Sequence, residues 1–415
     1  MAAVNIVNSS AAFDLSPVIN NVSLSLYGAA SSVHPEGNFL LSPISILYSA
    51  VLIYLGARGS SRDNLYSALD FQEFSQSGSD EDIAGAFGQL MNSLKLTTEK
   101  SAAKITSEWH GDTGNPAYRF QLALANGVFL RDGLKTDRNY LALVNQNLKA
   151  AIVTKDFAHH LDQARKDINK WTAERTGGHI KDLLPPRAID GNTVAVLANA
   201  IYFKSRWERI FNEEYTKKNA TFHLLNGETT TVQMMHMPKP RRSWNYAEDS
   251  DLDIQYVEIP YYEREASLLV FLPKQMTGLR DLEKNLTAQA IRKLAVKAEE
   301  DDGRMVLLSL PKFKVESSFD MVNLLKGIGV NDIFTEAADL KGMVPSGQIF
   351  VDKAFHKTVI DLNEKGTEAA GASGSLMTTR SGVIDPVDFI ADHPFMYAIR
   401  HNPSKTILFI GRIEK

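Results

Sequence analysis

The 415-residue chain contains no cysteine. That excludes a disulfide framework, a thiol nucleophile and any thiolate-ligated metal. It leaves the compartment open, because a chain able to bury a large core needs no covalent staples. No uncharged apolar run reaches the ~18 residues that a membrane-spanning helix needs. The most apolar stretch, NFLLSPISILYSAVLIYLGARG, is broken by Pro43 and two serines and reads as a short strand leading into a buried helix. An excess of one charge is also lacking. Lys+Arg number 45 against 49 Asp+Glu, a net charge of −4, which argues against a general nucleic-acid binder. The N-terminal MAAVNIVNSSAAFDL has no basic region followed by an apolar stretch, so no secretory signal is expected within it.

Catalytic motifs are missing too. There is no GxSxG elbow, no HExxH and no GxxxxGK[ST] loop, and no nucleophile–base pair can be nominated. His159 and His160 are adjacent, and neighbours on a helix point about 100° apart, so they read as a solvated pair rather than a metal site. The acidic run from Glu299 to Gly303 reads as a solvated turn before a strand. MPKPRRSW, with Lys239, Arg241 and Arg242, reads as a basic surface loop. Asn-x-Ser/Thr sequons at Asn8, Asn21, Asn219 and Asn285 are about what chance gives in a chain this rich in those residues.

What is present has a clear division. The first half shows helical spacing over Val18–Ala29, Pro43–Leu55, Ser61–Leu69, Glu81–Lys95, Asp137–Leu143 and Leu161–Thr176. FQLALANGVFLRDG reads as a strand interrupted at Asn126-Gly127. Residues 96–118, polar with Gly and Pro, read as a loop or insertion. The second half reads mainly as strands, among them TVAVLANAIYFKS, IQYVEIPYY, ASLLVFLP, MVLLSLPKFKV, QIFVDKAFHKTVIDLN and TILFIGRI. Short helices interrupt them near 279–284, 288–296 and 320–328. Helices and strands are segregated, so the fold class is α+β with extended antiparallel or mixed sheets. Hydrophobic (44%) and charged (23%) residues are spread without a seam, which allows one core for the whole chain.

One stretch fits no regular element. EKGTEAAGASG, from Glu364 to Gly374, follows a strand-like KTVIDLN yet loses every large side chain. A segment that slips into a sheet must present small uncharged residues at every second position. Thr367, Ala369, Gly371, Ser373 and Ser375 do so, and the charge of Glu368 falls on the other parity. A flexible Gly/Ala/Ser linker explains the same composition equally well.

The surroundings go further. NFLLSPISI, AVLANAIYFKSRWERIF, VIDLNEKGTEAAGASG and FIADHPFMYAIRHNPSKTILFIGRI resemble signature segments of the serpin family, in order and at suitable spacing over nearly the whole chain. The resemblance implies a single domain spanning 1–415, with residues 1–15 as an N-terminal extension. It implies three β-sheets, eight or nine helices, and an exposed reactive-centre loop over residues 364–388. A serine protease attacks such a loop, forms an acyl-enzyme and is trapped when the cut loop inserts into the central sheet. The implied protein is a monomer, binds no nucleic acid or membrane, and is not an enzyme.

Family positions carry over residue by residue. Glu364 begins the hinge, which continues through Gly366, Thr367, Glu368, Ala369, Ala370, Gly371 and Ala372. Lys312 is its implied partner at the top of the sheet, and Trp207 resembles the tryptophan beneath that point. Ser42, Ser45, Asn199 and His356 resemble the polar cluster beneath the centre of the sheet, where strands part. In inhibitory members the cleaved bond follows the seventeenth residue counted from the hinge glutamate, which here is Arg380, with Ser381 on the leaving side. Independently, Arg380 is the only Lys or Arg between Gly366 and Ala391. An arginine complements the acidic primary pocket of a trypsin-like protease. The alternative within the family is a non-inhibitory carrier or chaperone. Such members carry charged or bulky residues at the third or fourth hinge position, where this chain has Gly366-Thr367. No cofactor is implied. Lys95, Lys100 and Lys104 lie where some members bind glycosaminoglycans, but Glu99 and Glu108 interleave them. The length of chain before the first helix resembles secreted members, so an extracellular location is expected.

Overall fold

A computed structural model describes residues 14–73, 79–103, 120–238, 244–301, 304–367 and 386–415. Along the chain, α1 (Ser16–Val33) leads through β1 (Phe39–Leu41) into α2 (Pro43–Gly56), α3 (Gly59–Ala68) and α4 (Asp80–Ala103). β2 (Gln121–Arg131), α5 (Arg138–Asn147), β3 (Ala151–Lys155) and α6 (Leu161–Arg175) follow. Strands then dominate, with β4 (Ala195–Arg206), β5 (Lys217–His223), β6 (Thr229–His236), β7 (Asn245–Asp249), β8 (Ile254–Pro260) and β9 (Ala266–Pro273). Next come α7 (Leu279–Asn285), α8 (Ala288–Glu300), β10 (Val306–Pro311), β11 (Phe313–Asp320), α9 (Met321–Gly327) and β12 (Lys353–Asn363). β13 (Gly366–Thr367), β14 (Val387–Ile390), β15 (Phe395–His401) and β16 (Thr406–Ile413) complete the order. Among the described residues this gives nine α-helices and three sheets, the α+β architecture expected from the sequence.

The central sheet runs β11-β12-β13-β4-β2-β3; a second six-stranded sheet runs β1-β16-β15-β9-β8-β7, and a four-stranded one runs β14-β10-β6-β5. All fourteen residues of α2 are buried, as an all-round apolar helix must be. It packs between the central sheet and β16. On the opposite face of the central sheet, α6 packs Ile168 and Trp171 against a smaller apolar cluster that includes Phe129, Val196 and Tyr202. The sheet is therefore sandwiched at its middle, and its upper end is left for the segment after β12.

Several elements depart from the sequence reading. MVLLSLPKFKV is not one strand: it breaks after Pro311, so that β10 joins the small sheet and β11 the central one. Proline has no N–H to continue a ladder, and the break puts Lys312 at the junction of two sheets. Asn126-Gly127 does not interrupt β2, which pairs with β4 throughout. Gly127 is needed there because the Trp171 ring approaches within 3.0 Å of where a Cβ would sit. Residues 96–103 continue α4 instead of opening a loop. The edge strands β3 and β7 went unread because both are five-residue segments only partly buried, with weak alternation.

Candidate functional site

At the top of the central sheet β4 and β12 run parallel and pair directly from Val196/Lys353 to Tyr202/Val359. Above that point they diverge, and the chain turns back after Asn363 to place β13 between them. Gly366 faces Arg206 and Asn363, and Thr367 faces Ser205 and Leu362, antiparallel on both sides. Gly366 has φ +142°, and a Cβ there would collide with the Ser205 carbonyl, so only glycine makes this turn into the sheet. Thr367 is fully buried, with Oγ1 2.9 Å from the Tyr261 hydroxyl.

Glu364 is fixed by several partners. Lys312 Nζ lies 3.0 Å from its carboxylate, Thr216 Oγ1 donates to it at 2.8 Å, and its carbonyl accepts from the Phe211 N–H. Burial pushes the Glu364 pKa up, but hydrogen bonds from its own backbone N–H, Lys312 and Thr216 outweigh that and hold it below the ordinary glutamate value. Trp207, fully buried, stacks on Tyr261 with ring centroids 4.4 Å apart. Its Nε1 donates to the Asn363 carbonyl at 2.9 Å and its backbone N–H to Lys365. The structure thus brings Glu364, Lys312, Trp207, Gly366 and Thr367 to one place. Sequence reasoning missed Tyr261 and Thr216; neither carries a local signal, since each is recruited from another sheet or connection. Glu368, Ala369, Ala370, Gly371, Ala372, Arg380 and Ser381 lie outside the described residues, as do Lys104, Lys239, Arg241 and Arg242.

Lower down, Ser42, Ser45, Asn199 and His356 meet beneath the sheet and are all buried. Ser42 occupies the N-cap position of α2, yet its hydroxyl donates to the Leu408 carbonyl rather than capping the helix. Its backbone N–H donates to His356 Nε2 at 3.0 Å. That fixes the tautomer: the proton sits on Nδ1 and is donated to Asn199 Oδ1, 2.5 Å away. Asn199 Nδ2 must then donate, and it reaches Ser49 Oγ and Asn126 Oδ1, each at 3.0 Å. Ser45 Oγ lies 2.9 Å from the same Asn126 oxygen. Asn126 and Ser49 were not singled out from the sequence. A polar residue inside the apolar run LALANGVFL was the available signal, but it was read as a break in the strand.

His356 is held neutral, its pKa pushed down by burial from 6.5 to about 3. The unfolded chain takes up a proton at this residue below about 6.5, and the folded chain does not until about 3. Stability therefore falls as pH drops through that window, by up to about 1.4 kcal/mol per pH unit from this group. His401, lowered to about 4 by burial, adds a slope of the same sign. Denaturant unfolding of wild type and His356→Asn between pH 4 and 7 checks the assignment: the variant is expected to be less stable overall but with a shallower acid slope. Equal slopes would mean that His356 is not the titrating group.

Other candidate chemistry does not assemble. Ser309 Oγ and His236 Nδ1 are 2.7 Å apart, a nucleophile–base pairing invisible in the sequence, but Ser309 is buried within β10. His159 and His160 both face Asp156 at exposed positions, and no group of three metal-ligating side chains occurs among the described residues.

A family model for serpins (serine protease inhibitors) matches residues 17–415. The bovine (Bos taurus) leukocyte elastase inhibitor is 34% identical over 404 residues, covering 96% of this chain and 99% of that protein. Among solved structures, Serpin48 of the insect Tenebrio molitor, described as highly specific, superposes with a TM-score of 0.73 at 26% identity, covering 96% of this chain and 97% of that one. Human thyroxine-binding globulin complexed with its ligand superposes with a TM-score of 0.81 at 23% identity, over 97% of this chain and 98% of that one, a likeness of fold alone. With a three-sheet fold, a hinge lodged between β4 and β12 and a family match over nearly its whole length, the chain belongs to the serpin family.

Proposed function

We propose that the protein is a suicide-substrate inhibitor of trypsin-like serine proteases, acylated at Arg380 and trapping the protease by inserting its loop between β4 and β12. The observation that carries this reading is β13 itself: the hinge is already hydrogen-bonded to both strands that would have to part. Continuing its register downward brings Met377 opposite Ala195, the first residue of β4, and Leu376 opposite Lys353, the first residue of β12. The residues from the hinge to just short of Arg380 therefore match the length of the cleft. On that register Ala369, Gly371, Ser373 and Ser375 share the face of Thr367, toward the core, and Glu368 falls opposite Lys204.

In the reaction the protease serine attacks the Arg380 carbonyl carbon, the Arg380–Ser381 bond breaks, and the nitrogen of Ser381 leaves with a proton as a new N-terminus. The ester that remains tethers the protease to the inserting strand. That relatives are named as inhibitors of a leukocyte elastase supports protease inhibition. The trypsin-like specificity rests instead on Arg380, whose guanidinium matches a carboxylate at the base of the primary pocket.

Arg380→Ala is the direct test. Losing one partner of a buried ion pair costs ~3–5 kcal/mol, so inhibition of trypsin is expected to slow by at least about 100-fold with an unchanged melting temperature. Retention of the wild-type rate would place the reactive bond elsewhere.

A further inference from the structure

The Asn-x-Ser/Thr sequons are no more frequent than chance, but the structure separates those that it describes. In α1, Asn21 Nδ2 faces Asp70 Oδ2 at 3.5 Å, and the Ser23 hydroxyl is buried inside the helix, donating to the Ile19 carbonyl. At the end of α7, Asn285 Nδ2 donates to the Asp281 carbonyl at 2.9 Å. Thr287 is the N-cap of α8, and its hydroxyl accepts from the Ala290 N–H. In both sequons the fold already uses the amide and the hydroxyl that define the motif. Asn219-Ala220-Thr221, in β5, differs. Asn219 and Thr221 are both exposed, and neither side chain has a hydrogen-bond partner among the described residues.

A second observation concerns where this strand lies. β5 is the outer strand of the β14-β10-β6-β5 sheet, paired on one side alone among the described residues. An open edge is a template for another strand, and proteins blunt it with lysines, with bulges or with a group that covers it. β5 has the first two. Lys217 and Lys218 are exposed, and the register against β6 slips between Lys217, opposite Met234, and Ala220, opposite Val232. The slip is a bulge that contains Asn219, so this residue sits where the ladder is already interrupted. Thr216, which donates to Glu364, lies three residues before Asn219, ~10 Å at the rise of a strand. Whatever Asn219 carries therefore stands beside the hinge.

We propose that Asn219 is an N-glycosylation site whose oligosaccharide covers the open edge of β5. In the transfer, Asn219 Nδ2 bonds to C1 of the first sugar of an oligosaccharide carried on a lipid pyrophosphate. The C1–O bond to that pyrophosphate breaks, and the amide gives up one proton. The glycan displaces no contact the fold uses, and a bulky hydrated group on the edge strand keeps other strands from pairing with it. The proposal rests on the expected extracellular location and not on the inhibitory reading, because its test reads sugar on the chain and involves no protease.

The full chain is expressed in eukaryotic cells behind a cleavable secretion signal and recovered from the secretory compartment and the medium. Wild type should carry a glycan that peptide N-glycosidase removes, converting Asn219 to an aspartate that is labelled when digestion is run in heavy-oxygen water. Asn219→Gln should lose this glycan yet melt within about 1 °C of glycosidase-treated wild type, since the amide has no bond to lose. Thr221→Val keeps the branched shape and leaves Asn219 in place, and it should lose the glycan as well. Thr221→Ser should retain it. An unmodified Asn219 in the exported wild-type chain would overturn the proposal. So would a glycan still present on Asn219 in Thr221→Val.

Discussion

Thr367→Arg is expected to turn the inhibitor into a substrate. Thr367 is the first hinge residue whose side chain enters the sheet, fully buried against Tyr261 and opposite Ser205. An arginine there would place a charge among Tyr261, Trp207 and Phe203, with no carboxylate facing it on either neighbouring strand position. Burying an unpaired charge costs several kcal/mol, so the variant's hinge should stay out of the sheet. If only ~3 kcal/mol of this falls on the insertion barrier, insertion slows by more than about 100-fold. Hydrolysis of the acyl-enzyme proceeds at its own rate and takes over the outcome. Incubation with trypsin should then give cleaved protein and active protease, where wild type gives a complex that survives denaturing electrophoresis. Stable complex formed by the variant at one-to-one stoichiometry would refute insertion as the trapping step.

The part of this fold that could be read in advance was set by local chemistry. Pro43 at the start of an apolar run gave α2, and the alternation in KAFHKTVIDLN gave β12. Parity in the hinge placed Thr367 inward without any knowledge of Tyr261. The misreadings share a different cause. In MVLLSLPKFKV and LALANGVFL the pattern along the chain is continuous, and what decides the outcome is which sheet or helix waits on either side. Lys312 lies in the break between β10 and β11, and Asn126 is buried in mid-strand because Asn199 and Ser45 need an acceptor there. Neither requirement is local: Asn126 stands out as a polar residue in an apolar run, but nothing at either position names its partners. The placing of Lys312 and Trp207 at the hinge was available from family resemblance alone, since Lys312 pairs with Glu364, 52 residues on, and Trp207 donates to Asn363, 156 residues on.

Cleavage after Arg380 is expected to make the protein more stable, the reverse of what a nick does to an ordinary domain. In the intact chain Gly366 and Thr367 alone among the described residues have entered the cleft, and β4 and β12 close directly on each other below them. Once cut, Glu368 through Met377 are free to follow and to form a strand hydrogen-bonded along both edges. Parting β4 from β12 breaks the His356–Asn199 hydrogen bond, and the continued register offers a replacement. Ser373 would fall opposite both Asn199 and His356, and a hydroxyl can accept from Nδ1–H while donating to Asn199 Oδ1. A strand of about ten residues added with paired backbone on both sides should raise the melting temperature by on the order of 10 °C or more in a chain of this length. The measurement is thermal unfolding of intact protein beside protein nicked after Arg380 by a catalytic amount of protease. Ser373→Val should reduce the gain, because it leaves His356 Nδ1–H and Asn199 Oδ1 unpaired in the inserted state. A carrier whose loop stays put would melt alike in both forms, and a nicked form that melts at or below the intact one would remove the driving force on which trapping depends.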